Sequence, residues 1–258
     1  MTLLAVLLAS MAAEAPPDFD AFFEEFKAKR DGIRVLEADF IQRTILPDEV
    51  LTSRGTLLYA KPRRIVYRTQ QPHRATLIDG RRGYEYEPDI KQLVIYDLED
   101  RPEADIFFLG FDDDTEALRE AYDVNVFTIE GEERGSQGIV VRPKDPAAAD
   151  AYFVEVSLYL RDEDYLPYRI RIVNDEESQV ITEVQDIEVN HDPAPVRTQI
   201  SLAPGTKIIE NDTVVEVVGE EWKEVPEPLH FGPDTSEEAP GLIDVAPLPE
   251  TTAPETAP

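Results

Sequence analysis

Cysteine is absent from all 258 residues. The chain therefore has no disulfide, no thiolate metal site, no cysteine nucleophile and no N-terminal cysteine to carry a lipid. Histidine is scarce. His73, His191 and His230 lie far apart, and none has the spacing of a metal-ligand pair. Bases are outnumbered, 25 Lys+Arg against 54 Asp+Glu, and the formal net charge of −29 would be repelled by the phosphate backbone of a nucleic acid. The longest apolar run at the start, Leu3 to Ala9, falls well short of the ~20 residues that cross a bilayer as a helix. No GxSxG elbow, P-loop or GxGxxG occurs. Abundant carboxylates guarantee that some pair lies close in space, yet nothing marks one pair, and a carboxylate-pair hydrolase is disfavoured. No enzyme activity, metal or cofactor is expected, which leaves binding.

What is present is a 42% hydrophobic chain, long enough to bury a large β domain. The apolar run Leu3–Ala9, followed by small residues Ser10 and Ala12, reads as a secretory signal peptide over residues 1–15, although no base precedes it. Composition shifts again near Gly219. Residues 219–258 hold 8 of the 21 prolines and ten acids against the single base Lys223, so an acidic, Pro-rich, disordered tail is expected there. Trp222, Leu229 and Phe231 are the tail residues able to dock. The domain proper is expected over 16–218.

Asp18 to Gly32 predicts a helix. Phe19, Phe22, Phe23 and Phe26 fall at i, i+3, i+4 and i+7, with acids at its start and Lys27, Lys29 and Arg30 at its end. Such a stripe is either ordinary core packing or a plug for the mouth of a cavity. From Ile33 onward the period shifts toward two, with turns at Asp79-Gly80, Pro88-Asp89 and Pro204-Gly205. Strands are expected from Val35–Leu46 through Thr198–Leu202, with one more over Lys207–Val218. Tyr168, Ile170 and Ile172 are expected on one face, with Arg169 and Arg171 on the other. Many short strands without intervening helices imply an antiparallel meander. One segment breaks the pattern. Glu103–Tyr122 carries Phe107, Phe108 and Leu109 and then an Asp113/Glu116 capping box, which suggests a second lid.

Charge is uneven. Between Arg54 and Arg82 there are eight bases and one acid, Asp79. On a strand, Arg64 and Arg68 share one side and Ile65 and Tyr67 the other, so the basic side is expected to face water. It would either meet an acidic partner or lipid phosphates, or offset acids elsewhere.

Several stretches resemble the LolA-type periplasmic outer-membrane lipoprotein carriers. They are Ala38-Asp39-Phe40-Ile41-Gln42, Gly55-Thr56-Leu57-Leu58-Tyr59-Ala60-Lys61-Pro62 continuing to Tyr67, Leu77-Ile78-Asp79-Gly80, and Tyr84-Glu85-Tyr86-Glu87-Pro88 with Lys91–Tyr96. Leu166–Ile170, Asp186–Asn190 and Pro204-Gly205 follow in the family's order, so the likeness covers about Phe19 to Glu210.

The resemblance implies a mainly β fold, an unclosed antiparallel half-barrel whose apolar concave face is covered by helices. It implies a periplasmic monomer that takes acylated lipoproteins from an inner-membrane ABC transporter. The carrier shields their acyl chains across the periplasm and hands them to an outer-membrane acceptor. Strand parity and the resemblance together nominate Phe40, Leu57, Tyr59, Ile65, Tyr67, Leu77, Tyr84, Tyr86 and Ile95 as cavity residues. Phe22, Phe26, Phe107, Phe108 and Leu109 are the lid residues. Lys61 takes the place of the family's lid latch, where many members have Arg, and Ile65 stands where many have Phe. Arg63, Arg64, Arg68 and Arg74 form a docking strip for the transporter. A carrier of another envelope lipid, and a lipid-binding envelope-stress sensor of the related half-barrel type, are the alternatives.

Overall fold

The structure, a computed structural model, describes residues 19–80, 82–98, 122–145, 153–227 and 229. The lid candidates Phe107, Phe108 and Leu109 lie outside these residues, as do residues 1–15, Phe231 and most of the expected tail. One α-helix occurs among the described residues, α1 (Phe19–Asp31), close to its predicted bounds. Two meanders follow. The first is β1 (Val35–Ile45), β2 (Val50–Ala60), β3 (Arg64–Gln70), β4 (His73–Asp79), β5 (Arg82–Glu87) and β6 (Gln92–Asp97). The second is β7 (Tyr122–Thr128), β8 (Gln137–Pro143), β9 (Glu155–Leu160), β10 (Pro167–Val173) and β11 (Gln179–Val189). Pairing of β1 with β11 joins them. A short 3-10 turn (Pro195–Thr198) then leads into β12 (Ile200–Leu202), β13 (Lys207–Glu210), β14 (Thr213–Val217) and β15 (Lys223–Val225).

The result is one 13-stranded sheet in the order β14-β13-β6-β5-β4-β3-β2-β1-β11-β10-β9-β8-β7, with β12 and β15 as a separate pair. Its end strands β14 and β7 do not pair, so the sheet is unclosed, as the family resemblance implies. Its pairings are antiparallel except β13 beside β6, which runs parallel. The expected strand over Lys207–Val218 is instead a hairpin. Asn211 and Asp212, at φ 51° and 59°, form a tight turn of the kind that suits twisted strands. Residues beyond 218 return to the domain as β15, antiparallel to β12.

The start of the first meander shows why a glycine stands at position 55. Phe40 and Gly55 are directly opposed on β1 and β2. A Cβ on Gly55 would fall 2.6 Å from the tip of the Phe40 ring and 2.0 Å from the Arg68 carbonyl oxygen. The missing side chain lets that ring lie across the strand and meet Tyr67 edge-on, with centroids 6.1 Å apart. Asn190 performs a second local task. Its Oδ1 accepts the Arg34 N–H at 2.8 Å and its Nδ2 donates to the Gly32 carbonyl at 2.7 Å. The link between α1 and β1 is thereby pinned to the end of β11.

Both faces of the sheet carry apolar clusters, but different elements cover them. On the helix side, Phe22, Phe23 and Phe26 of α1 bury against Ile139, Val141, Val156, Leu158 and Leu160 of β8 and β9. The same side of β1–β4 presents a second cluster built on Leu36, Phe40, Leu57, Tyr59, Ile65 and Ile78. On the reverse side, Leu58, Val66, Leu77, Tyr84, Tyr86 and Leu93 are packed against Ile200, Leu202 and Val218 of the C-terminal segment. Beneath β8–β11 the reverse side is charged instead. Arg142 and Arg171 meet Glu155, and Arg169 meets Glu183 at 2.7 Å.

Tyr168 departs from its predicted face. The register of β10 against β9 shifts between Pro167 and Arg169. The bulge turns Tyr168 to the charged side, where the Arg134 guanidinium lies 4.4 Å from its ring centre. Ile170 and Ile172 remain on the helix side.

Candidate functional site

The nine expected cavity residues divide between the two faces. Phe40, Leu57, Tyr59, Ile65 and Tyr67 come together on the helix side. Register places them in rows across the sheet. Leu36, Tyr59, Ile65 and Ile78 are successively opposed on β1–β4, and Ala38, Leu57 and Tyr67 form the next row. Tyr59 and Ile65 have no exposed surface. Tyr67 packs against the edge of the cluster, and its burial holds its hydroxyl pKa far above the usual tyrosine range.

Leu77, Tyr84, Tyr86 and Ile95 lie on the reverse face under the C-terminal segment. Their separation traces to one strand. On β4 both Leu77 and Ile78 are apolar, so alternation alone does not say which one points to the helix side. The connection from Gln70 to His73 fixes Ile65 opposite Ile78 and Val66 opposite Leu77. Leu77 then opposes Tyr84, Tyr84 opposes Ile95, and Ala75 opposes Tyr86. The face chosen for one residue of β4 thus determines it for β5 and β6.

The helix over the second meander carries the two described lid residues, Phe22 and Phe26, 5% and 0% exposed. Phe22 meets the Tyr165 ring at 5.2 Å, and Phe26 stacks on it at 6.3 Å between centroids. Burial, reinforced by a hydrogen bond to the Glu25 carboxylate, pushes the Tyr165 hydroxyl up to about 12. Arg30, one turn beyond Phe26, is fully buried. It donates to the Tyr165 carbonyl and lies 4.6 Å from the centre of the Phe26 ring. Desolvation lowers its pKa to about 9 against the pull of Asp164. Its place on the Phe stripe is visible in the spacing, but its charge reads as a surface feature of a helix end.

Lys61 stands beside the C-terminal end of the same helix. Its backbone N–H donates to the Arg34 carbonyl at 2.9 Å, and its ammonium lies 3.5 Å from the carbonyl of Asp31, the last residue of α1. A cation at a helix C-terminus is electrostatically favoured.

The four arginines of the strip have different surroundings. Arg64 is 5% exposed and does not face water. It forks onto Asp79, its cross-strand neighbour, at 3.1 and 2.8 Å, and also donates to the carbonyls of Thr198 and Glu227. Arg68 donates to the carbonyls of Arg197 and Gln199 at 2.8 and 2.6 Å. Arg74 pairs with Glu85 and Glu87 at 2.8 and 2.9 Å. Arg63 is partly exposed. Strand parity alone puts the basic side in solvent, because the return of the C-terminal segment over β2–β6 has no local sequence signal. Among the described residues no His/Asp/Glu cluster could hold a metal ion, and no helix is long and apolar enough to cross a membrane.

The sequence matches the family model for the outer membrane lipoprotein carrier protein LolA over residues 31–200. No match was found among curated proteins. Solved structures with a similar chain path include an uncharacterized conserved protein from Thermus thermophilus. It is 12% identical, with 73% of this chain and 98% of that one covered and a TM-score of 0.46. A LolA superfamily protein from Nitrosomonas europaea is 13% identical over 66% of this chain and 94% of its own, with a TM-score of 0.34. The MucA/MucB complex of Pseudomonas aeruginosa is matched at 13% identity over 70% of this chain and 60% of that one, with a TM-score of 0.40.

Proposed function

We propose, given that this chain belongs to the LolA family of outer membrane lipoprotein carrier proteins, that it is a periplasmic carrier for the acyl chains of lipoproteins. The observation that carries the reading is the apolar helix-side surface of β1–β4 next to a helix held chiefly by aromatic contacts. An acyl chain in water costs roughly 0.8 kcal/mol per CH₂, so a carrier needs a broad apolar surface that is hidden when empty. In this reading α1 swings from its seat on β7–β10 while the sheet stays folded. The surface it vacates, Ile139, Val141, Val156 and Leu158, together with the adjoining Phe40, Leu57, Tyr59, Ile65, Tyr67 and Ile78, then takes up acyl chains. Cargo competes with the contacts of Phe22 and Phe26, which keeps affinity modest and release feasible. Lys61 holds the end of α1 and serves as the latch.

An inner-membrane ABC transporter is the proposed donor and an outer-membrane acceptor the recipient, with no covalent chemistry. Mass spectrometry of the protein purified from the periplasm of its own or a related host tests this reading. Recovered acylated lipoprotein supports it. Recovery of another lipid class keeps the carrier role and changes the cargo. A protein that yields no lipid and takes up no fluorescent fatty-acyl probe overturns it.

A further inference from the structure

On the reverse face, away from the proposed acyl site, a cleft of about 520 Å³ opens between β3–β5 and the segment from Val196 to Ser201. That volume is in the range of small-molecule sites. Arg68, Ala75 and Tyr86 form its floor, side by side across three strands. Val196, Arg197 and Ile200 form its opposite wall, and His73 and Arg74 stand at its rim. Among the described residues no acidic one lines it, in a chain of net charge −29.

Three of its four basic groups have carboxylates nearby. Arg197 meets Glu37 at 2.9 Å, Arg74 meets Glu85 and Glu87, and His73 lies 3.7 Å from Asp89. Arg68 differs. Its Nη2 donates to the carbonyls of Arg197 and Gln199, which fixes the guanidinium plane. No carboxylate among the described residues lies within ion-pair distance, and Nε and Nη1 have no partner there. Desolvation and the neighbouring Arg197 charge disfavour its protonated form, opposed by the Glu37 and Glu224 carboxylates beyond ion-pair distance. A half-buried cation held by neutral acceptors, beside a second cation and level with the apolar side chains of Ala75 and Tyr86, suits an anion able to accept two parallel N–H bonds.

We propose that this cleft binds a small organic anion, with Arg68 receiving its carboxylate or phosphate and Ala75, Tyr86 and Ile200 packing against its apolar body. The site is independent of the acyl site, because the two lie on opposite faces of the sheet.

Phenyl phosphate and benzoate are suitable probes because they carry the anion and an apolar body but no acyl chain. Phenol is the neutral reference. Calorimetry and ¹⁵N NMR on the full chain should show saturable binding of the anions, with shifts centred on Arg68, Ala75, Tyr86 and residues 196–201. Arg68→Gln should weaken binding about tenfold or more, the usual consequence of losing a charge-assisted hydrogen bond. Because Arg68 also holds the C-terminal segment, a second variant is needed. Val196 is 50% exposed at the edge of the cleft, so Val196→Glu should abolish anion binding without moving Tm. Flotation with phosphatidic acid vesicles, against phosphatidylcholine vesicles, identifies the source of the anion. Retention that Val196→Glu abolishes assigns a lipid headgroup. Probe binding without vesicle retention assigns a soluble anion. No saturation by either anion, equal binding of phenol, or anion binding that survives Val196→Glu would overturn the proposal.

Discussion

The helix side of β8 and β9 and the reverse side of β2–β6 are both apolar and both covered, yet their covers are attached by different means. On the reverse side the C-terminal segment is tied by directional bonds. Arg64 reaches Asp79 and two backbone carbonyls, Arg68 reaches two more, Gln199 donates to the Pro226 carbonyl, and Ala203 N–H donates to the Tyr86 hydroxyl. On the helix side α1 is seated by Phe22, Phe23 and Phe26, with side-chain ties from Arg30 to the Tyr165 carbonyl, Glu25 to the Tyr165 hydroxyl, Lys29 to the Asp162 carbonyl and Lys61 to the helix end. Non-directional contacts can be exchanged for an acyl chain at little net cost, whereas a buried, hydrogen-bonded guanidinium cannot be exchanged for anything apolar, and α1 carries one such anchor, Arg30, near its C-terminal end. The aromatic part of α1 is therefore suited to swing about that anchor, and the C-terminal segment to stay.

The sharpest way to break this contrast is to cut the fork. Arg64→Ala removes a guanidinium that is 5% exposed and deprives the Thr198 and Glu227 carbonyls of their donor, while the Asp79 side chain, 32% exposed, turns to water. The loss is about 3–4 kcal/mol, the lower part of the range for a buried pair. Tm should fall by roughly 6–16 °C, at about 2–4 °C per kcal/mol for a domain of this size. Proteolysis should then begin in the segment after Asn190. A Tm unchanged by Arg64→Ala would mean that the reverse cover is not held by its polar bonds.

Phe26→Ala is the matching cut on the other side. Phe26 has no exposed surface, and truncating a buried Phe costs about 3 kcal/mol or slightly more. The manner of the loss is the informative part. If α1 is a separable cover, amides of residues 19–31 should lose hydrogen-exchange protection while those of β1–β4 keep theirs. The affinity for a fluorescent acyl probe should then rise about tenfold or more, because cargo no longer competes with a tight lid. Loss of protection across the whole sheet would show instead that α1 is core.

Neighbouring residues on β4 sharpen the comparison at smaller cost. Leu77 and Ile78 are 0% and 3% exposed and face opposite sides. Alanine at either should destabilise by about 2–4 kcal/mol. Only Ile78→Ala should reduce acyl-probe uptake. Equal effects on uptake would place the acyl site elsewhere.

This pair also marks where sequence reading stops. The helix and the two meanders follow from local periodicity, with Phe at spacings of three and four and short β runs between turns, whereas Leu57-Leu58-Tyr59 and Ile65-Val66-Tyr67 are apolar throughout and take their face from parity together with the family resemblance. Face assignment on β4–β6 depends on the register of one hairpin, and a one-residue choice carries every later side chain with it. The bulge at Tyr168 is the same kind of event. The partners of Arg64 and Arg68 could not be read locally, because Thr198 and Gln199 lie about 130 residues further along the chain. Arg30 is legible by position and misleading by charge, since burying a guanidinium against Phe26 and a backbone carbonyl is a tertiary arrangement.

The smallest effect concerns Lys61. Its ammonium is 3.5 Å from the Asp31 carbonyl, a long contact at a solvent-accessible helix end. A cation there contributes about 0.3–1 kcal/mol, and salt screens it. Lys61→Met keeps the aliphatic stem and removes the charge, so Tm should drop by no more than about 4 °C. Lid opening responds to the same energy on a logarithmic scale. A loss of that size multiplies the open fraction about two- to fivefold, as 1.4 kcal/mol corresponds to a factor of ten. The acyl-probe on-rate should rise by that factor at low salt and converge with the unsubstituted protein at high salt. Lys61→Arg, with a fork in place of a point charge, should close the lid further and slow uptake. An on-rate indifferent to both substitutions would confine Lys61 to the turn it occupies and leave the latch to the aromatic contacts of α1 and the ties of Glu25, Lys29 and Arg30.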